Sequence, residues 1–182
     1  MSDASTELPH PSSTEPWLRG TLTEVPSVAR AVLHALELAQ EDIALYCLPL
    51  TDAEINASVS GLPSVAFHLR HIARSVDRLL TYAEGKPLNA RQLADLQSEL
   101  EADAASSTSD LLAEVAAALA SGTDRIRLIH PASLDEARAV GRKGLPTTVA
   151  GLLIHVADHT QRHVGQVIAT AKVIAAQHIH ST

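Results

Sequence analysis

Through four long segments of this 182-residue chain, apolar residues recur every three to four positions, and no stretch sustains an alternation of apolar and polar residues. On a helix that advances about 100° per residue, this spacing gathers the apolar side chains into one stripe per segment. Four such stripes escape water only against one another. The pattern therefore predicts an all-α four-helix bundle with strands absent or trivial, an architecture that places ligand and metal sites between facing helices.

The punctuation supports the same division. Val28, Val32, Leu36, Ala39, Ile43 and Tyr46 share the first stripe, with Pro26 tolerated in a first turn that needs no N–H and Pro49 ending the helix. On that wheel His34 points nearly opposite. Gly61-Leu62-Pro63-Ser64 supplies a breaker and a cap before the second helix, and Gly85-Lys86-Pro87 supplies its stop. Residues 88 to 106, acidic and alanine-rich, predict one short extra helical crossing segment. Ser107 with Asp110 resembles a capping box for a third long helix, weakened or bent at Gly122. Residues 130 to 147 read as a loop containing the basic turn Gly141-Arg142-Lys143-Gly144. Thr147 or Thr148 then caps the longest helix, which runs to about Gln177. Residues 1 to 16 have little to bury and are expected to form a disordered N-terminal arm, with the bundle over 17 to 177 and a frayed tail over 178 to 182.

Composition narrows the function. With aromatic residues at 2%, the core must be aliphatic and almost nothing is available to stack bases; a net charge of -7 repels phosphate. Neither a nucleic acid nor an anionic membrane surface is an expected partner. Cys47 is the single cysteine, which excludes an intramolecular disulfide and a cysteine-rich zinc site. The acidic, proline-containing start does not read as a secretory signal, so the expected location is cytoplasmic, where the Asn56-Ala57-Ser58 sequon carries no meaning.

Beside that plain core stand ten histidines. His155, His159 and His163 follow one another at i, i+4, a spacing that brings neighbouring imidazoles about 5–6 Å apart at Cβ. All three cannot share one ion, because the outer two are separated by about 12 Å of helix rise. On the wheel His163 lies about 40° from the apolar centre, His159 about 80° and His155 about 120°. The inward pair is His159/His163, with His155 at the edge. Histidines facing a core so poor in polar groups each need a hydrogen-bond partner or a metal. A third ligand would come from a facing helix, where His68 and His71 are the candidates. Periodicity favours His68, which flanks the apolar centre, but a site at the edge of the stripe suits His71, and the residues alone leave the choice open.

The remaining candidates have plainer readings. Asp158 faces solvent and could orient His155; Asp77 and Arg78 form local helix pairs; Arg142 and Lys143 are solvated. Gly165 would permit close helix approach, and Gln166 would hydrogen-bond near the site. Tyr46 and Tyr82 pack at the core edge, and Cys47 is a packed thiol. His10, His34 and His130 are expected to be exposed, and His178 and His180 lie in the tail.

His68-Leu69-Arg70-His71-Ile72-Ala73-Arg74-Ser75, followed by His159-Thr160-Gln161-Arg162-His163-Val164-Gly165-Gln166, resembles the DinB-like family of damage-inducible, metal-dependent enzymes, over about Trp17 to Lys172. The resemblance implies a four-helix bundle holding a divalent metal, commonly nickel or zinc, through His71, His159 and His163. His71 is selected because the family's ligand precedes a continuation like Ile72-Ala73-Arg74-Ser75. Characterised relatives include thiol transferases that use low-molecular-weight thiols and a thiol-dependent maleylpyruvate isomerase, and relatives often pair as homodimers. The expected function is thus metal-dependent thiol transfer to a small electrophile. The alternatives are metal-dependent hydrolysis, with peptide hydrolysis specifically weakened because the histidine pair lacks a His-Glu-x-x-His general base, and a non-catalytic metal- or ligand-binding dimer.

Overall fold

The computed structural model describes residues 14–99 and 106–179. The arm expected over residues 1 to 16 lies, up to residue 13, outside the described residues, as do the last three residues of the expected tail. A 3₁₀ turn at Pro16–Leu18 leads to α1 (Ser27–Cys47), short α2 (Asp52–Asn56), α3 (Val65–Ala83), α4 (Ala90–Ser98) and α5 (Thr108–Arg127). A second 3₁₀ turn at Pro131–Ser133 precedes strands β1 (Ala137–Val140) and β2 (Leu145–Thr148), and α6 (Val149–Ile179) follows. The fold is all-α, as expected.

Local chemistry sets the helix starts. The Ser64 hydroxyl accepts from the Phe67 N–H at 3.1 Å to open α3, and the Ser107 hydroxyl accepts from the Asp110 N–H at 3.1 Å to open α5. For α6 the cap is Thr148, whose Oγ1 accepts from the Gly151 N–H at 3.1 Å. Two complete capping boxes, Thr51/Glu54 and Asn89/Gln92, open α2 and α4. The five residues of α2 are too few to show a period, and the sequence reading passes over them.

In cross-section α1 touches α5 and α6, and α3 touches the same two, so the long helices form a ring. Their directions follow from residue pairs. Gln161 donates to the Ala35 carbonyl at 2.7 Å and Lys172 lies 5.4 Å from the Tyr46 ring centroid, so α1 and α6 are parallel. Arg74 reaches Glu114, and further along Arg125 reaches Glu84, so α3 and α5 are parallel too. A parallel neighbour requires the chain to travel back along the bundle, about 28 Å for a helix the length of α3. Residues 84–99, which contain α4, run back along α3 from the Thr81 level at Gln92 to the His71 level at Glu99.

The core consists of Val, Leu, Ile and Ala with Cys47, and Leu33, Leu69, Ile72, Leu80 and Leu153 are fully buried within it. Burial pushes the Cys47 thiol up to about 12, which makes it the packed, unreactive group expected. Trp17 stays largely exposed. No helix among the described residues is long and apolar enough to cross a membrane.

Several expectations require correction. His34 is 7% exposed, because the leading segment lies over α1 and brings Thr21 Oγ1 to 3.2 Å from His34 Nε2; a wheel that anticipates only bundle neighbours misses this cover. Part of the predicted loop at 130 to 147 is a two-stranded hairpin pairing Ala137 with Thr148 and Val140 with Leu145, too short to announce itself by alternation. Gly141 and Gly144 turn its corner with φ of +69° and +59°. Gly122 does not interrupt α5: a Cβ there would sit 2.9 Å from Val76 Cγ1, so the glycine lets α3 and α5 approach. Gly165, expected to serve such an approach, has nothing within 4 Å of where its Cβ would be. Asp77 and Arg78 form no local pair. Asp77 binds Arg125 on α5 at 2.7 Å, and Arg78 binds Glu99 at 2.6 Å.

Candidate metal centre

Antiparallel packing of α3 against α6 sets His68 opposite His163 and His71 opposite His159. The i, i+3 step on α3 and the i, i+4 steps on α6 stack these rings along one seam. One ring nitrogen from each of His71, His159 and His163 lies within 4.8 Å of the others. Nε2 of His71 and Nε2 of His159 are 2.9 Å apart, and the His71 and His163 ring centroids are separated by 4.4 Å. His68 joins this set from the side, with its Nδ1 3.0 Å from His163 Nδ1. Between two such nitrogens one donates and the other accepts. His68 is 4% exposed and its Nε2 has no hydrogen-bond partner. The wheel thus ranks His68 correctly as the more buried, yet the three-ring convergence includes His71, because the seam with α6 runs along the edge of the α3 stripe.

Desolvation is the main influence on His159, His163 and His68. It pushes His159 down to about 4, assisted by His71, His155 and Arg162 against the opposing pull of Asp158. It also pushes His163 down to about 4, with the neighbouring histidines adding to the effect. His68 is lowered by burial and then by His71. At neutral pH, His159 and His163 are uncharged imidazoles with a lone pair to offer, the form that binds a divalent ion.

Two neighbours escaped the sequence reading. Glu99, at the C-terminal end of α4, places Oε2 3.0 Å from His71 Nδ1, and Arg78 donates to Oε1 at 2.6 Å and to Oε2 at 3.2 Å. Burial alone would raise this carboxyl; the hydrogen bonds from His71 and Arg78 outweigh it and hold the group below the usual carboxylate range. No local motif links positions 71, 78 and 99, so only the tertiary fold exposes the constellation. Phe67, the one phenylalanine in the chain, stacks on His71 at 5.8 Å and meets His68 edge-on at 5.2 Å. It covers one side of the cluster with an apolar face.

The outer residues sit as their helical phases suggest. His155 is half-exposed, its ring 5.2 Å from His159, and its Nδ1 is 2.9 Å from the equally exposed Asp158. Gln166, expected to hydrogen-bond near the site, is instead exposed, and Arg142 and Lys143 occupy the exposed hairpin turn. Tyr46 and Tyr82 are half-buried, and His130 is exposed. His10, and the side chains of His178 and His180, lie outside the described residues.

A ring of four long helices with imidazoles meeting between two of them defines a helical-bundle protein with an inter-helix histidine site. The chain belongs to the DinB superfamily, whose family model matches residues 35–167, a family generally associated with metal. Among solved structures it is similar to a conserved protein from Enterococcus faecalis, at 18% identity and a TM-score of 0.64, over 83% of this chain and 99% of that one. That likeness shows the fold alone. No curated protein matches the chain significantly.

Proposed function

We propose that His71, His159 and His163 hold a divalent ion, zinc or nickel, and that the protein transfers a low-molecular-weight thiol to a small electrophile. One observation carries the first part: three imidazole nitrogens from two helices lie within 4.8 Å of one another, with His159 and His163 kept neutral by burial. The donor set fits such an ion, since neutral imidazoles suit zinc and nickel and three protein ligands leave a position open. A bound divalent ion would act as a Lewis acid and lower the pKa of a thiol or water.

The chain's own groups complete the reading. Phe67 shields one side of His71 from water. A carboxylate only accepts, so the Asp158 contact favours a proton on His155 Nδ1 and leaves Nε2 of that half-exposed ring as a base near the site. The resemblance of the histidine segments to those of thiol-transferring relatives favours thiol transfer, and the absence of a helix-borne glutamate next to the histidine pair weighs against peptide hydrolysis specifically. Pairing as a homodimer belongs to the same proposal, and sedimentation equilibrium tests it.

The deciding assay loads the protein with zinc or nickel and offers glutathione, bacillithiol or mycothiol with a model electrophile. The proposal expects a rate above that of His159→Ala with at least one thiol. No excess rate with any of them would contradict thiol transfer and leave the metal site to be judged by binding alone.

A further inference from the structure

The crossover between α3 and α5 does more than return the chain, because its α4 end delivers Glu99 to His71. With side-chain exposures of 9% and 10%, Glu99 and Arg78 form a nearly dry ion pair whose remaining acceptor capacity faces His71 Nδ1. We infer that Glu99, clamped by Arg78, is a positioning residue that fixes the His71 tautomer and couples docking of the α4 crossover to metal binding. This rests on the reading of His71, His159 and His163 as ligands.

A neutral imidazole carries one N–H, and an ionised carboxylate can only accept, so the contact at 3.0 Å places that proton on Nδ1. Nε2 of His71 is then a lone pair, and it is this atom that meets His159 Nε2 at 2.9 Å. With the acceptor removed, either nitrogen can hold the proton, and the alternative tautomer would aim an N–H at the place a cation must occupy. A carboxylate behind a ligating imidazole also makes the ring a better donor. Glu99 touches the Nδ1 edge of the ring, so it acts through His71.

The coupling follows from how α4 is held. Gln92, 4% exposed, donates to Asp77 Oδ2 at 2.7 Å and to Thr81 Oγ1 at 2.8 Å, anchoring the start of α4 on α3. Arg74 donates to Ser98 Oγ at 3.1 Å near the other end, one residue before Glu99. Glu99 reaches His71 only while α4 stays docked. Coupling of two binding equilibria is reciprocal, so whatever docking adds to metal affinity, the metal adds to docking.

The experiment uses the full chain with zinc as the probe, comparing wild type with Glu99→Gln, which keeps the shape without the charge, and Glu99→Ala. Nitrogen-15 NMR of the metal-free proteins reads the His71 tautomer, chelator competition reads zinc affinity, and hydrogen exchange reads α4 with and without zinc. Expected are an Nδ1–H tautomer in the wild type and a mixture in the variants, with zinc affinity lower by about 10–100-fold. Zinc should slow exchange in α4 of the wild type and do so less in the variants. Wild-type zinc affinity in both variants, even with a lowered melting temperature, overturns the inference, as does an Nε2–H tautomer in the wild type or an α4 exchange rate indifferent to zinc. If the wild type binds no zinc while His71 keeps its Nδ1–H, the ligand reading fails and the coupling falls with it.

Discussion

At His159 and His163 the cost of charging a ring away from water exceeds the attraction that the Asp158 carboxylate offers His159, and both rings titrate near 4 in the folded chain. In the unfolded chain they titrate near 6.5. Between those limits the unfolded state holds more protons than the folded one, so stability rises with pH across the window and falls as pH drops from about 6.5 toward 4. Metal-free protein should therefore lose stability on acidification, on the order of 1 kcal/mol at pH 5 relative to pH 7 once solvent screening of half-buried rings is allowed for. His159→Gln should flatten the slope, as read by urea unfolding at a series of pH values; an unchanged slope would show that these rings remain hydrated. Helical phase alone revealed which α6 histidines turn inward, because burial on a long helix follows a fixed angle. It could not reveal Glu99, whose partner lies 28 positions earlier, or the cover over His34, which depends on a segment without a period.

Among the elements, the contact of α3 with α5 depends on the absence of a side chain at Gly122. An added Cβ would press on Val76 Cγ1 at 2.9 Å and Leu80 Cδ1 at 3.4 Å, and the β-branched Val76 has few rotamers with which to yield. Gly122→Ala gains about 1 kcal/mol of helix propensity and incurs an overpacking cost of about 1–3 kcal/mol. The expected outcome is a net loss of up to about 2 kcal/mol in denaturant unfolding, and a clear gain would show that the two helices have room to part. The sequence alone makes this glycine look like a weak point, since nothing local distinguishes a glycine that breaks a helix from one that admits a neighbour. Caps, by contrast, were readable, because Ser64, Ser107 and Thr148 bond to backbone three residues on.

For the molecule as a whole, an aliphatic core without aromatic bulk is interrupted by two polar clusters among the described residues, the histidine seam between α3 and α6 and the Arg78, Thr81 and Gln92 group where α4 meets α3. The all-α class was legible because four amphipathic stripes leave few other ways to exclude water. The helix directions were not, since the parallel pairing of α3 with α5 depends on where the crossover docks. The proposed divalent ion is held by His71, His159 and His163, with His68 beside His163 rather than on the metal. The most direct measurement is the metal content of protein purified without an affinity tag and dialysed against zinc, for wild type and single alanine variants. Bound zinc is expected in the wild type and in His68→Ala, and its loss in His71→Ala, His159→Ala and His163→Ala. Zinc lost only in His68→Ala, or retained in both His159→Ala and His163→Ala, would contradict it.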